Sequence, residues 1–245
     1  MRGGPLLTTL ALVPARGGSK GLPGKNVRPL FGLPLLVHSL RLAALCPEIE
    51  RTVVSTDSDE IAGTATAFGG EVPFLRPAEL ARDETPMLPV LHHALSELDP
   101  DAARYELLLL LDPTSPGRLP EDVARAHELL RATPEADGVV SVSEPPFNPL
   151  WHAVVERDGF MESLHAEART FARRQDVPRV LRINAALYLF RTSFLRRELE
   201  AWQNGRHIVL EIPDLRAFHI DSEQDLRVAE AVLAAGLVRL PWISG

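Results

Sequence analysis

Over the first 145 residues, short apolar runs alternate with longer segments whose apolar positions recur every three or four residues. The short runs predict strands at Leu7 to Ala15, Thr52 to Ser55, Glu71 to Leu75, Glu106 to Asp112 and Gly138 to Ser143. The periodic segments predict helices near Leu35 to Leu45, Asp59 to Phe68, Met87 to Leu98 and Pro120 to Ala132. Unbroken runs such as YELLLLL suit strands buried on both faces, and strand–helix alternation implies a mostly parallel sheet. The fold class predicted is therefore α/β, a Rossmann-like doubly wound layout. From about Pro145 to Arg182 the pattern lapses into a proline-rich, then acidic and aromatic, then arginine-rich stretch, which reads as an inserted arm. Phe147, Trp151, Phe160 and Phe171 in it make either a small satellite core or a subunit contact. The regular pattern resumes at INAALYLFR and HIVLEIPDLRAFHID, and closes with a helix over Glu223 to Ala235.

Length adds a bound: 245 residues are long for one domain and short for two, so one elaborated domain over 1–245 is expected. A formal charge of −7 provides no basic footprint for nucleic acid. Cys46 is the only cysteine, which excludes an intrachain disulfide and a multi-cysteine zinc site and fits a reducing compartment. The opening MRGGPLLTTLALVPAR has a weakly charged start and a short apolar run, and reads as the first core strand rather than a signal peptide. No run reaches the ~18 apolar residues of a membrane span. A soluble, cytoplasmic protein with no membrane partner is the expectation.

In open parallel sheets ligands bind beyond the carboxyl ends of the strands. The polar segments gather there: ARGGSKG, TDSD, RPAELARDET and DPTSPGR. The first continues as PARGGSKGLPGKN and contains Lys20 and Lys25, the only two lysines among 26 basic residues. A strand, then Gly17, Gly18, Gly21 and Gly24, then a helix, can present backbone N–H groups to phosphate; the alternative is a tight turn needing glycine for its backbone angles alone. A Walker A loop would need glycine at position 19 and Ser or Thr at 26, where Ser19 and Asn26 stand, and no G-x-G-x-x-G occurs. What remains is Arg16, Ser19, Lys20 and Lys25 together. The compact ammonium of lysine suits a phosphate whose charge moves during displacement better than the rigid arginine fork.

PARGGSKGLPGKN, followed by STDSDEIA, FLRPAELARDETPM, LLLLDPTSPGR, FARRQDVPRVLRINAALYLF and HIDSEQDL, resembles the acylneuraminate cytidylyltransferases in order and spacing over nearly the whole chain. The resemblance implies attack of a nonulosonic acid's anomeric hydroxyl on the α-phosphate of CTP, giving CMP-sugar and pyrophosphate, with Mg²⁺ as cofactor. It puts Arg16 and Lys25 on the triphosphate as catalytic groups, with Gly17, Gly18, Ser19 and Asn26 beside them. Arg76, Asp83, Thr85 and Met87 fall on the cytosine segment, although Asp83 also reads as a simple helix cap before Met87. Arg174 and Tyr188, with Gln175 and Asn184 as neighbours, fall on the sugar acid, whose carboxylate suits a bidentate guanidinium. Arg173 and Arg179 read as solvated. The family also implies that the arm makes a homodimer.

Three positions depart from the pattern. Asp112 stands where the family has glutamine, His219 replaces the first aspartate of an Asp-x-Asp metal pair, and Ala185 replaces glycine after Asn184. Either Asp112 and Asp221 hold Mg²⁺ together, or Asp221 holds it alone and Asp112 addresses the sugar. The alternatives in function are a CMP-Kdo synthetase type, whose enzymes open with a different loop, and a nucleotide-binding homologue impaired in catalysis.

Overall fold

The computed structural model describes residues 7–243. The reading of the residues before Leu7 as lead-in to the first strand lies outside them. β1 (Thr9–Pro14) enters the glycine loop, which leads through the two-residue strands β2 (Pro29–Leu30) and β3 (Leu33–Pro34) into α1 (Leu35–Ala44). β4 (Arg51–Ser55), α2 (Asp59–Ala67), α3 (Met87–Leu98), β5 (Leu107–Leu110), α4 (Pro120–Ala132) and β6 (Gly138–Ser143) follow. The segment after β6 holds a single-turn helix α5 (Pro149–His152) and a hairpin of β7 (Val154–Arg157) with β8 (Phe160–Ser163). The chain returns through β9 (Arg182–Arg191), α6 (Thr192–Arg197), β10 (His207–Glu211) and α7 (Glu223–Ala234).

Six strands form one sheet in the order β10-β6-β9-β5-β1-β4. β1 pairs in parallel with β4 and β5, and β10 in parallel with β6, while β9 runs antiparallel between β5 and β6. The sheet is thus mostly parallel, as the leucine runs require. Along β1 and β5 alternate residues face opposite layers. Ala11, Val13, Leu107 and Leu109 pack with α1, α2 and α4, whereas Leu10, Leu12, Leu108 and Leu110 pack with α3 and α6. A third cluster joins Leu22 of the glycine loop to Leu35, Ile220 and Leu226, so α7 sits against the loop.

One expected strand is not formed. Glu71 to Leu75 makes only isolated parallel bridges, Val53 with Glu71 and Thr56 with Leu75, along the free edge of β4. Pro73 lies between them without an N–H to donate, and one extra residue separates the bridges on this side, so no ladder propagates. Nor do Phe147 and Phe160 join a satellite core. Phe147, ahead of α5, is 71% exposed, and Phe160 and Met161, on a hairpin whose strands pair with each other, are 75% exposed each, while Trp151 and Phe171 are half-buried.

β9 is itself irregular. Val140 of β6 faces Tyr188, but Val142 faces Ile183, so Ser141 stands opposite the four residues 184–187. Ser141 closes the bulge: its hydroxyl donates to Asn184 Oδ1 (2.6 Å) and accepts the N–H of Leu187 (2.7 Å). Asn184 Nδ2 donates to Ser143 Oγ (2.7 Å) and its Oδ1 accepts the N–H of Ala186 (3.1 Å). Ala185, at the apex, is left with φ 57°, the left-handed region that favours glycine.

Candidate active site

β1 ends at Pro14, and the N–H of Ala15 makes one more sheet-like bond to Ser55 O (2.9 Å) before the chain turns over the carboxyl end of the sheet. Leu22, 2% exposed, pins the loop to the core beneath. At Gly21 a Cβ would stand 2.6 Å from the carbonyl oxygen of Asp221, so only glycine allows this approach. Gly24, at φ 63°, turns the chain into the short 3-10 turn Lys25–Val27. Asn26 is buried and spends its amide on the carbonyl of Arg16 (2.9 Å), fixing the loop's far end to its near end.

The cations of the loop and the N–H of Gly17 face carboxylates from three other segments. The N–H of Gly17 donates to Asp57 Oδ1 (2.9 Å) in the segment after β4. Arg16 and Lys20 both ion-pair with Asp83, the lysine at 2.7 Å. Lys25 Nζ is 2.7 Å from Asp221 Oδ1, and His219 Nε2 is 2.8 Å from the other oxygen of that carboxylate. Hydrogen bonds from Lys20 and Arg16 hold the Asp83 carboxyl below its ordinary range. Partial burial opposes ionisation of Asp221, yet Lys25 and His219 hold its carboxyl below the usual range as well. Asp83 is not a helix cap: α3 starts at Met87 with Pro86 in the cap position and no capping side chain. Thr85 donates its hydroxyl to Glu79 O (3.2 Å) and Met87 packs half-buried against the core.

Arg76, 5% exposed, lies under this loop, bonded through Nε to Ser55 Oγ (3.0 Å) and through a second nitrogen to Ser55 O. Burial pulls its guanidinium down to about 10, against the charge of Asp57, with Arg16 and Asp112 its other charged neighbours. Asp112 follows the end of β5, where its Oδ1 accepts both the N–H (3.0 Å) and the hydroxyl (2.9 Å) of Thr114. Tyr188 in β9 pairs with Leu110, and burial together with the charge of Asp112 pushes its phenol up to about 12. It therefore stays protonated at neutral pH. The N–H of Ile220 donates to Thr114 O (2.9 Å), which lays the segment carrying His219 and Asp221 beside the one carrying Asp112.

Arg118, 1% exposed, was legible only as the last residue of DPTSPGR, yet it fastens this corner. Its guanidinium donates to Ala186 O (3.0 Å), Ser39 Oγ (2.7 Å) and the main-chain oxygen of Asp112 (2.9 Å). Asp57 likewise carries no motif of its own; its position just past a parallel strand is the one signal the sequence offers. Arg174 and Gln175 lie on the exposed 3-10 turn Arg174–Asp176, away from these groups in the chain's own contacts. Arg174 lines a cleft of about 420 Å³ with Glu144, Phe147, Trp151 and His152. Arg173 pairs with Asp176 and Arg179 with Glu211, both at the surface.

Among the described residues no group of three or more His, Cys, Asp or Glu side chains is arranged to hold a metal ion. The donor chemistry of the corner nevertheless suits Mg²⁺, which needs one or two carboxylates plus substrate phosphates. Asp112 keeps one oxygen outside its bonds to Thr114, and Asp221 offers oxygens now held by Lys25 and His219. No described helix is long and apolar enough to cross a membrane.

A family profile described as "Cytidylyltransferase" matches residues 10–231. CMP-N,N'-diacetyllegionaminic acid synthase of Campylobacter jejuni is 32% identical over 92% of this chain and 94% of its own length. The protein of the same name from Legionella pneumophila is 40% identical over 61% of this chain and 64% of its own. Among solved structures, CMP:2-keto-3-deoxy-manno-octonic acid synthetase complexed with CTP superposes with TM-score 0.71, at 17% identity, over 94% of this chain and 99% of that one.

Proposed function

Because the chain belongs to the cytidylyltransferase family, we propose that it joins CTP to a nonulosonic acid in a Mg²⁺-dependent reaction that releases pyrophosphate. It is a nucleotidyltransferase of the cytidylyltransferase type acting on a sugar acid; the acid's identity and the metal are the proposal. The observation that carries it is the convergence of Arg16, Lys20 and Lys25 on one glycine loop at the carboxyl end of a parallel sheet. Three cations there match a triphosphate and exceed what a turn requires.

Nucleotidyl transfer leaves a protein chiefly positioning and charge neutralisation to supply. Lys25 is the group for charge building on the α-phosphate and leaving pyrophosphate, since its ammonium needs only to exchange Asp221 for phosphate oxygen. Arg16, Ser19 and the N–H groups of Gly17 and Gly18 receive the remaining phosphates, and Asn26 acts by holding the loop shut. Arg76 with Thr85 and Met87 supports the base end, whereas Asp83 of the same segment is held by Arg16 and Lys20 of the glycine loop. Tyr188, kept as a neutral phenol, faces the sugar, while the buried amide of Asn184 shapes the bulge beside it. Arg174 and Gln175 take the sugar carboxylate once the arm is packed. The exposed Phe147, Phe160 and Met161 support a homodimer made through that arm. Asp112 and Asp221 would hold Mg²⁺, which supplies charge neutralisation on the phosphates.

Names of relatives favour N,N'-diacetyllegionaminic acid or a related nine-carbon acid; the fold likeness to the octonic acid synthetase keeps Kdo as the second reading. Incubation with CTP, Mg²⁺ and a panel of sugar acids, with pyrophosphate measured, decides between them. Release with a nonulosonic acid is expected, and release with Kdo alone transfers the assignment. CTP bound without release under any acid refutes catalysis. In the same assay Asp112→Asn should raise the Mg²⁺ concentration needed; unchanged metal dependence with a raised sugar KM would give Asp112 to the sugar instead.

A further inference from the structure

Lys20 is the one of the loop's three cations to which the reaction above gives no separate task. It is 87% exposed, yet its ammonium lies 2.7 Å from Asp83, the same carboxylate that engages Arg16. Asp83 belongs to the segment between α2 and α3 and, among the described residues, its side chain pairs with these two cations of the glycine loop. A carboxylate bound by an arginine and a lysine presents two anionic oxygens to them much as a phosphate would. In the unliganded chain it therefore stands on groups that a polyphosphate needs.

We propose that Asp83 is a built-in competitor for pyrophosphate: it yields Arg16 and Lys20 to the triphosphate when CTP enters, and recaptures them as pyrophosphate leaves. The inference rests on the pyrophosphate-releasing reaction just proposed. Energetic scale favours such a role. An exposed ion pair contributes little, so the latch opens to a ligand carrying several charges, yet two pairs on one carboxylate suffice to bias departure of a small anion. Lys20 in this reading is a positioning residue, moved between Asp83 and the leaving group. CMP, with a single phosphate addressed by Lys25, does not need the latch to open.

Calorimetric titration of the full chain with pyrophosphate, CMP and CTP tests the idea without turnover. Asp83→Asn should bind pyrophosphate about three- to tenfold more tightly, the range two exposed ion pairs allow, with CMP affinity unchanged. In a Lys20→Met background the gain should shrink, because part of the latch is already absent. Asp83 is exposed and its substitution leaves the core untouched, so circular dichroism should match the unmodified chain. Unchanged or weaker pyrophosphate binding in Asp83→Asn overturns the inference, as does an equal gain in the neighbouring charge control Glu84→Gln. Weaker CMP or CTP binding in Asp83→Asn makes the carboxylate a nucleoside ligand and also overturns it. A gain undiminished by Lys20→Met removes Lys20 and refutes the latch as stated. CTP turned over normally without the pyrophosphate gain sinks this inference alone, whereas failure of CTP and pyrophosphate to bind the unmodified chain sinks the proposed function with it.

Discussion

Replacing Ala185 by glycine should stabilise the protein. The bulge of β9 holds Ala185 at φ 57°, and its carbonyl accepts the hydroxyl of Ser115 (3.2 Å), so the peptide cannot rotate away without losing that bond. An L-residue in the left-handed region costs about 1–2 kcal/mol, which glycine does not incur. Glycine returns about 0.4–1 kcal/mol of that through the greater freedom of its unfolded chain. The net gain is about 0.5–1 kcal/mol, and for a chain of 245 residues each kcal/mol moves Tm by about 2–4 °C. Thermal unfolding of Ala185→Gly should therefore rise by about 1–4 °C, with urea midpoints moving in the same sense. Ala186→Gly is the contrast. That residue is 1% exposed, and no left-handed angle there is relieved, so the same chemical change should lower stability by about 1 kcal/mol or more. A fall in Tm for Ala185→Gly, or equal effects at 185 and 186, would refute the claim that the apex is strained.

Stability should depend on two buried histidines. His38 accepts the indole N–H of Trp242 (3.0 Å), His127 pairs with Thr9 (2.9 Å), and desolvation lowers both below the ordinary 6.5. Protons thus bind the unfolded chain first: stability is full above about pH 7 and falls as pH drops through 6.5, by at most about 1.4 kcal/mol per pH unit per histidine. Urea unfolding from pH 7.5 to 5.5 checks this, and a flat profile would contradict it. Lys25→Arg should lose about 10²-fold in kcat/KM with circular dichroism unchanged, because a rigid fork cannot follow the moving phosphate charge as the ammonium does; retention of activity would remove Lys25 from catalysis. Arg118→Met should cost about 3 kcal/mol or more, since Ser39 Oγ and two carbonyls lose their buried donor at about 1–3 kcal/mol each. A urea midpoint close to that of the unmodified chain would show that water replaces the guanidinium.

What was legible in the chain followed local physics. α3 and α4 span the predicted residues, Pro86 and Leu119–Pro120 marking starts that need no distant partner. The leucines of β5 announced a strand covered on both faces. The edge segment from Glu71 to Leu75 failed because propensity cannot see how Pro73 meets β4, a pairing decided across the fold. In the site, the glycine loop, Lys25 and Asp221 were readable as types, and Ala185 stood out as a departure. The pairing of Lys25 with Asp221, 196 residues away, was not, and neither was the capture of Asp83 by Arg16 and Lys20. Such contacts belong to loops brought together only by the sheet's crossovers. Arg118 was hidden for the opposite reason: an arginine near a turn gives no sign that it is interior.

The antiparallel β9 has a consequence for how the protein comes into being. β1, β4 and β5 make one parallel group and β6 with β10 another, and the sheet joins them solely through this ten-residue strand. During synthesis the leucine edge of β5 and the valine edge of β6 wait unpaired while the arm is made. Only when residues 182–191 emerge can β6 be joined to the group of β1, β4 and β5. Nascent chains shorter than that present the open apolar edge of β5 and a β6 open on both sides, since β10 is made later still, the usual template for aggregation. The strand that carries Tyr188 and the Asn184 bulge is thus also the keystone whose late arrival governs whether the chain stays out of aggregates.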